Sequence, residues 1–194
     1  MFAGGRGSRL GGVDKAELRL DGTRLVDRAV AAVRAGNAEH VVVVGPDHAV
    51  PAECIATRED PPFAGPLAAL AAGLAALPER GSTLFLLACD LEDPEAVIAQ
   101  LNREALTTED GGPVDAVVLS DPDGRAQWLA GLYDTAALRA GLAAAGETAN
   151  RPLRAAFDGL TIRFAAAPAI VVADIDTPAD LARARATRPG KDTQ

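Results

Sequence analysis

MFAGGRGSRLGGVDK, residues 1–15, is the stretch on which the reading of this chain turns. Gly4, Gly5, Gly7, Gly11 and Gly12 crowd a short loop, with Arg6 and Arg9 between them and Lys15 closing it. Glycine permits positive φ and lets a ligand approach the backbone. Peptide N–H groups turned into one bend form a concave anion site. Two arginines and a lysine add fixed positive charge. The stretch therefore reads as a phosphate loop suited to a nucleoside triphosphate. It is not a Walker loop, because Lys15 follows Asp14 and no Ser or Thr comes next. It is not a dinucleotide loop either: laid on Gly5 and Gly7, that pattern meets Leu10 where its third glycine belongs. A merely flexible glycine-rich terminus is the plain alternative, and the density of basic residues argues against it.

The rest of the chain sets this loop against an acidic background, with a net charge of −8 over 194 residues. That disfavours a nucleic-acid groove and favours a small anionic ligand at one local basic cluster. The length predicts a single domain over 1–188 with a disordered tail at 189–194. Aromatic residues make up only 4%, so Ala, Leu and Val must supply the packing. Cys54 and Cys89 make no disulfide framework and sit in apolar strand-like surroundings, which predicts buried thiols. They show no metal-ligand spacing with His40 and His48. No secretory pattern or membrane-length apolar run is visible, so a cytoplasmic location is the expectation.

Strand and helix signals alternate downstream. Leu25, Val26, Ala29, Val30 and Val33 form one face of a helix over Thr23–Ala35. His40–Gly45, Cys54–Arg58 and Thr83–Cys89 read as strands, and Gly65–Leu77 and Pro94–Leu106 as helices opened by Pro66 and Pro94. Asp93 is the candidate cap before Pro94. Val114–Ser120, Gln127–Tyr133 and Leu160–Ala165 read as strands, with Thr135–Ala145 helical between the last two. Thr177 caps a terminal helix to Arg188, with Pro178 in its first turn. Such alternation implies a mainly parallel sheet covered on both faces, with ligands beyond the carboxyl ends of the strands. The phosphate loop should follow a buried strand, yet only Met1 and Phe2 precede Ala3-Gly4-Gly5. The expectation is a truncated first strand, with the native start upstream of Met1 or most of that strand lacking.

The opening AGGRGSRLGGVDKAEL resembles the signature loop of nucleotidyltransferases that activate a substrate with an NTP. The Gly-Gly-Val-Asp-Lys-Ala portion most resembles molybdenum cofactor guanylyltransferases. Glu59-Asp60 with Gly65-Pro66-Leu67, Cys89-Asp90, Leu129–Tyr133 and Asp176-Thr177-Pro178-Ala179-Asp180-Leu181 follow in that family's order. The resemblance runs from Phe2 to about Arg185. It implies a Rossmann-like three-layer α/β/α nucleotidyltransferase fold and transfer of GMP from GTP to molybdopterin with release of pyrophosphate. It also implies Mg²⁺, a monomer or weak oligomer, no membrane, and possible molybdoenzyme-maturation partners. A same-fold cytidylyltransferase, another small-phosphate NTP-transferase, and a non-catalytic nucleotide-binding protein are the alternatives.

Within that reading Phe2, Ala3, Gly4, Gly5, Gly7 and Ser8 line the nucleotide, and Arg9 and Lys15 offset charge on the α-phosphoryl group and pyrophosphate. Asp90 emerges from the apolar run Leu84–Cys89 and is the candidate Mg²⁺ ligand, a cation that takes one or two carboxylates plus phosphate oxygens and water. Asp174 and Asp176, two apart on an extended segment, can share one side; Asp176 is a second candidate metal ligand and Asp174 a candidate acceptor contact. A turn-and-cap pair is their plain alternative, and the resembling family usually has asparagines there. The resemblance assigns Asp60 and Gly65 to the base pocket, where a carboxylate accepts both N1–H and N2–H of guanine. It places the acceptor beside Arg125–Tyr133 and Asn150–Phe157, with Arg151 and Arg154 as anion contacts. Trp128 departs from the family's usual proline.

Overall fold

The computed structural model describes residues 1–3, 17–78, 81–104, 106–107 and 111–187. In chain order the elements are β1 (Arg19–Leu20), β2 (Thr23–Arg24), α1 (Leu25–Ala35), β3 (Val42–Val44), β4 (Ile55–Thr57), α2 (Pro66–Ala76) and β5 (Thr83–Leu87). There follow α3 (Pro94–Leu101), β6 (Ala116–Ser120), β7 (Ala126–Asp134), α4 (Thr135–Ala145), β8 (Ile162–Ala166) and α5 (Pro178–Thr187).

The sheet is assembled around the first three residues. β3 pairs with β4 in parallel, and β5, β7, β6 and β8 follow one another in a second ladder. Phe2 bridges the two, parallel to both Val44 and Ala88. Its N–H donates to Leu87 O at 2.9 Å, and Cys89 N–H donates back to Phe2 O at 3.0 Å. On the other side Ala3 N–H donates to Val44 O and Val44 N–H to Met1 O, each at 2.9 Å. The order is thus β4, β3, Met1–Ala3, β5, β7, β6, β8. Only β7 runs against the others, pairing antiparallel with β5 and β6. A two-sided sheet needs alternating apolar faces, and β6 provides them. Val117 and Leu119 join one core with Val26, Val30, Val97 and Leu101 from α1 and α3. Ala116 and Val118 join the other with Leu67, Leu70 and Leu138 from α2 and α4.

Several boundaries differ from expectation. α1 begins at Leu25 because Thr23 and Arg24 pair with β1 across a turn at Asp21 and Gly22, whose φ values are 53° and 80°. Asp-Gly is a favoured pair for such a turn. α3 stops at Leu101, and the next residues close into i→i+3 turns, Arg103 N–H to Gln100 O and Glu104 N–H to Leu101 O. Cys89 is buried as predicted, but Cys54 is only half-buried. Arg188 and the tail 189–194 lie outside the described residues.

β3 and β5 part toward their amino ends around a cavity of about 530 Å³. Val42, Leu70, Leu74, Phe85 and Thr135 line it. The Met1 ammonium donates to Val42 O at 2.8 Å, and burial pushes its pKa down from 8.0 to about 6. This cavity lies at the opposite end of the strands from Asp90. Among the described residues no helix is long and apolar enough to cross a membrane.

Candidate active site

The strands present their carboxyl ends along one edge: Ala3, Gly45, Arg58, Asp90, Asp121 and Ala167 each leave a strand there. Ala3, the residue before the glycine-rich segment, stands at the sheet centre. Gly45 makes room for it: a Cβ there would stand 3.1 Å from the Ala3 carbonyl carbon and 3.3 Å from its oxygen. Gly4, Gly5, Gly7, Ser8, Arg9 and Lys15 lie outside the described residues. Glu17 follows that segment, and its carboxylate accepts from Arg24 Nη1 at 3.0 Å. Arg24 also makes a two-pronged contact with Asp27, both arms at 2.8 Å. Those carboxylates, Asp27 foremost, raise the guanidinium pKa.

Asp90 stands beside Ala3's strand on β5's extension, half-buried. The segment 173–175 runs antiparallel past it: Leu91 bridges Asp174, Ile175 N–H donates to Asp90 O at 2.9 Å, and Glu92 N–H donates to Ala173 O at 2.8 Å. Ile175 is fully buried, which turns Asp174 and Asp176 to the opposite side of this extended segment. Sequence spacing foresaw that shared side; it gave no sign of the antiparallel contact with Leu91. Among the described residues no group of three His, Cys, Asp or Glu gathers to hold a metal. A carboxylate at a strand end, as at Asp90, suits a hard cation whose remaining ligands are phosphate oxygens and water. Asp93 does not join it; its carboxylate caps α3, accepting from Ala96 N–H at 3.0 Å.

A second cluster joins the predicted base and acceptor segments. Asp60 is exposed in the loop ahead of α2. Gly65 caps α2 with φ 100°, a conformation that itself calls for glycine. Ala64 O accepts from Asn150 N–H at 2.5 Å, drawing the two loops together. Arg151 Nη1 is occupied at the end of α4, donating to Ala145 O and Glu147 O; Arg154 is exposed. Trp128 stacks on Phe157 at 4.9 Å, and Phe157 on Tyr133 at 5.2 Å, tying β7 to the turn after Pro152. Tyr133 donates to Trp128 O at 2.9 Å, and burial raises its phenol pKa. This stack explains how an aromatic ring is accommodated at residue 128.

Phe63, which sequence reading did not single out, is 50% exposed three residues after Asp60, with Arg58 over its ring at 5.1 Å. An exposed aromatic face next to a carboxylate can stack a planar base. A lone Phe in a proline-rich loop carries no pattern that marks it.

Known proteins are similar to this chain in sequence and in fold. A family model described as MobA-like NTP transferase domain matches residues 1–166. Over 134 residues the chain is 33% identical to a molybdenum cofactor guanylyltransferase of Cupriavidus taiwanensis, which covers 66% of this chain and 64% of that relative. The chain thus spans just under two thirds of that relative's length. The molybdopterin-guanine dinucleotide biosynthesis protein A of Archaeoglobus fulgidus superimposes with a TM-score of 0.65 at 21% identity, covering 95% of each chain. Rv0371C of Mycobacterium tuberculosis, solved in complex with manganese, gives 0.66 at 17% identity over 96% of each chain. The match along the ordered strands and the glycine-rich opening makes this chain a member of the MobA-like NTP transferase domain family.

Proposed function

We propose that this chain is a nucleotidyltransferase that joins GMP from GTP to molybdopterin, with Mg²⁺ as its metal. The observation that carries this reading is the place of Ala3, the residue just before the glycine-rich segment. It stands at the centre of the sheet, flanked by β3 and by the strand that runs on to Asp90. The similarity to a protein named molybdenum cofactor guanylyltransferase supports the choice of GTP and pterin.

In this reading a phosphate oxygen of the acceptor attacks the α-phosphorus of GTP, and the bond to the bridging oxygen breaks as pyrophosphate leaves. The protein supplies alignment and charge rather than covalent chemistry. Peptide N–H groups of Gly4, Gly5 and Gly7 hold the phosphates, with Phe2, Ala3 and Ser8 lining the nucleotide. Arg9 and Lys15 offset charge as it passes to the leaving group. Asp90, with Asp174 or Asp176 beside it, would hold the cation, which neutralises phosphate charge and orients the triphosphate. Asp60 reads guanine through its two N–H donors, and Arg154 faces the acceptor phosphate. We place the reaction in the cytoplasm, carried out by a monomer or weak oligomer that passes its product to molybdoenzyme-maturation partners.

Thermal shift with GTP, CTP, UTP and ATP, each with and without Mg²⁺, tests this first. A rise in Tm specific to Mg²⁺–GTP is expected. A preference for CTP moves the chain to cytidylyl transfer, and no shift with any nucleotide overturns the reading. Asp90→Ala should then lower kcat by at least about 100-fold, on the scale of losing a charge-stabilising group, with the fold retained.

A further inference from the structure

Glu92 is a buried carboxylate, 3% exposed, that the proposed reaction does not use. Burying a charge is unfavourable unless it is paired. Its partner is Arg183 on α5, whose Nη2 lies 3.1 Å from Glu92 Oε2. The other arm of the same guanidinium, Nη1, lies 2.5 Å from Asp180 Oδ1. Asp180 in turn holds the chain just past Ile175: its Oδ2 accepts from Thr177 N–H at 2.8 Å, Thr177 Oγ1 at 2.7 Å and Asp176 N–H at 3.2 Å. One side chain therefore ties together two segments remote in sequence. One carries Asp90, two residues before Glu92. The other carries Asp174 and Asp176. Both ends are otherwise fixed, by Arg28 Nη2 on Glu92 O at 3.1 Å and by Ile175 packed with Leu20, Leu25 and Ala184.

We propose that Arg183 is a positioning residue: by bonding Glu92 and Asp180 at once, it braces the backbone pairing that holds Asp90 against the Asp174–Asp176 segment, and so tunes the affinity of these acidic segments for a divalent cation. Only a rigid planar fork spans two carboxylates in this way; an ammonium is a single point charge. The proposal rests on the reading of Asp90 as a metal ligand, and the experiment keeps the two apart.

Mn²⁺ alone is titrated into the full chain and followed by loss of the free-ion EPR signal. Hydrogen exchange at the Glu92 and Ile175 amides is measured on the same samples. Arg183→Ala should raise the Mn²⁺ dissociation constant about tenfold, the low end of effects seen for groups that orient metal ligands. It should also speed exchange at both amides. Arg183→Lys should recover part of each. If Arg183→Ala does not fold, Arg183→Lys and Glu92→Gln carry the test, since both preserve side-chain length. A dissociation constant within twofold of the unaltered chain in folded variants overturns the proposal, provided Asp90→Asn abolishes binding. Unchanged binding in Asp90→Asn overturns the metal reading on which it rests.

Discussion

Gly45 and Phe63 show how single residues shape the candidate site from opposite directions. Gly45 acts by absence. A methyl group there would press on the Ala3 carbonyl, which is held by the Ala3 N–H bond to Val44 O and cannot retreat freely. Gly45→Ala should therefore displace the exit of the phosphate loop by a few tenths of an ångström and weaken GTP binding by about tenfold, roughly 1.4 kcal/mol. Calorimetric titration with GTP checks this, and affinity within twofold of the unaltered chain would rule it out. Phe63 acts by exposure. Its ring supports no core, so Phe63→Ala should leave Tm within about 2 °C while raising KM for GTP. Loss of one base–aromatic contact corresponds to about 1–3 kcal/mol. A variant with unchanged KM would remove Phe63 from the base site. Neither role was legible in the sequence. Gly45 looks like the end of a valine strand, and its neighbour is forty-two residues away in the chain ordering that Ala3 and Gly45 themselves define. The position of Asp90 was legible, because an acidic residue after six apolar ones reads as the end of a buried strand, and it follows one here.

At the scale of elements, capping chemistry was readable and pairing was not. Asp93 caps α3 and Pro66 opens α2 as their local sequence dictates, since a cap depends on neighbours three residues apart. The β1–β2 hairpin, turning at Asp21-Gly22, is only two residues a side, too short to show alternation. The antiparallel run of Leu91 past Asp174 depends on contacts across the whole chain, and no local pattern encodes it. α5 illustrates a testable cap. Thr177 Oγ1 accepts from Asp180 N–H at 3.2 Å while Asp180 Oδ2 accepts from Thr177, a reciprocal capping pair. The Thr177 hydroxyl first, then Arg183, holds the Asp180 carboxyl down from 3.8 to about 2. The carboxylate is favoured in the folded state, so its stabilisation is present above about pH 4 and is lost as pH falls toward 2. Thr177→Ala should cost about 1 kcal/mol in urea unfolding at pH 7. The gap between the two proteins should close as pH drops through that window; a gap that stays constant would show that the cap works through packing instead.

The whole molecule is organised by a sheet whose middle is joined by three residues. Met1–Ala3 supplies the bridge between two ladders, and the acidic site hangs from one end of that bridge while the cavity opens at the other. The cavity carries a prediction. Phe2 lies opposite Ala88, so about four residues at 3.3 Å each, joined ahead of Met1, reach back to Thr83. An added Val-Ile-Val-Leu would pair with the free sides of β3 and β5 and bury apolar side chains at about 1.5–3 kcal/mol each, offset by about 1–2 kcal/mol per residue of backbone ordering. The net gain of a few kcal/mol should raise Tm by about 5–10 °C, whereas Gly-Ser-Gly-Ser of equal length should not. Scanning calorimetry of the two extended proteins decides it: equal melting temperatures would mean that the cavity does not accept a strand.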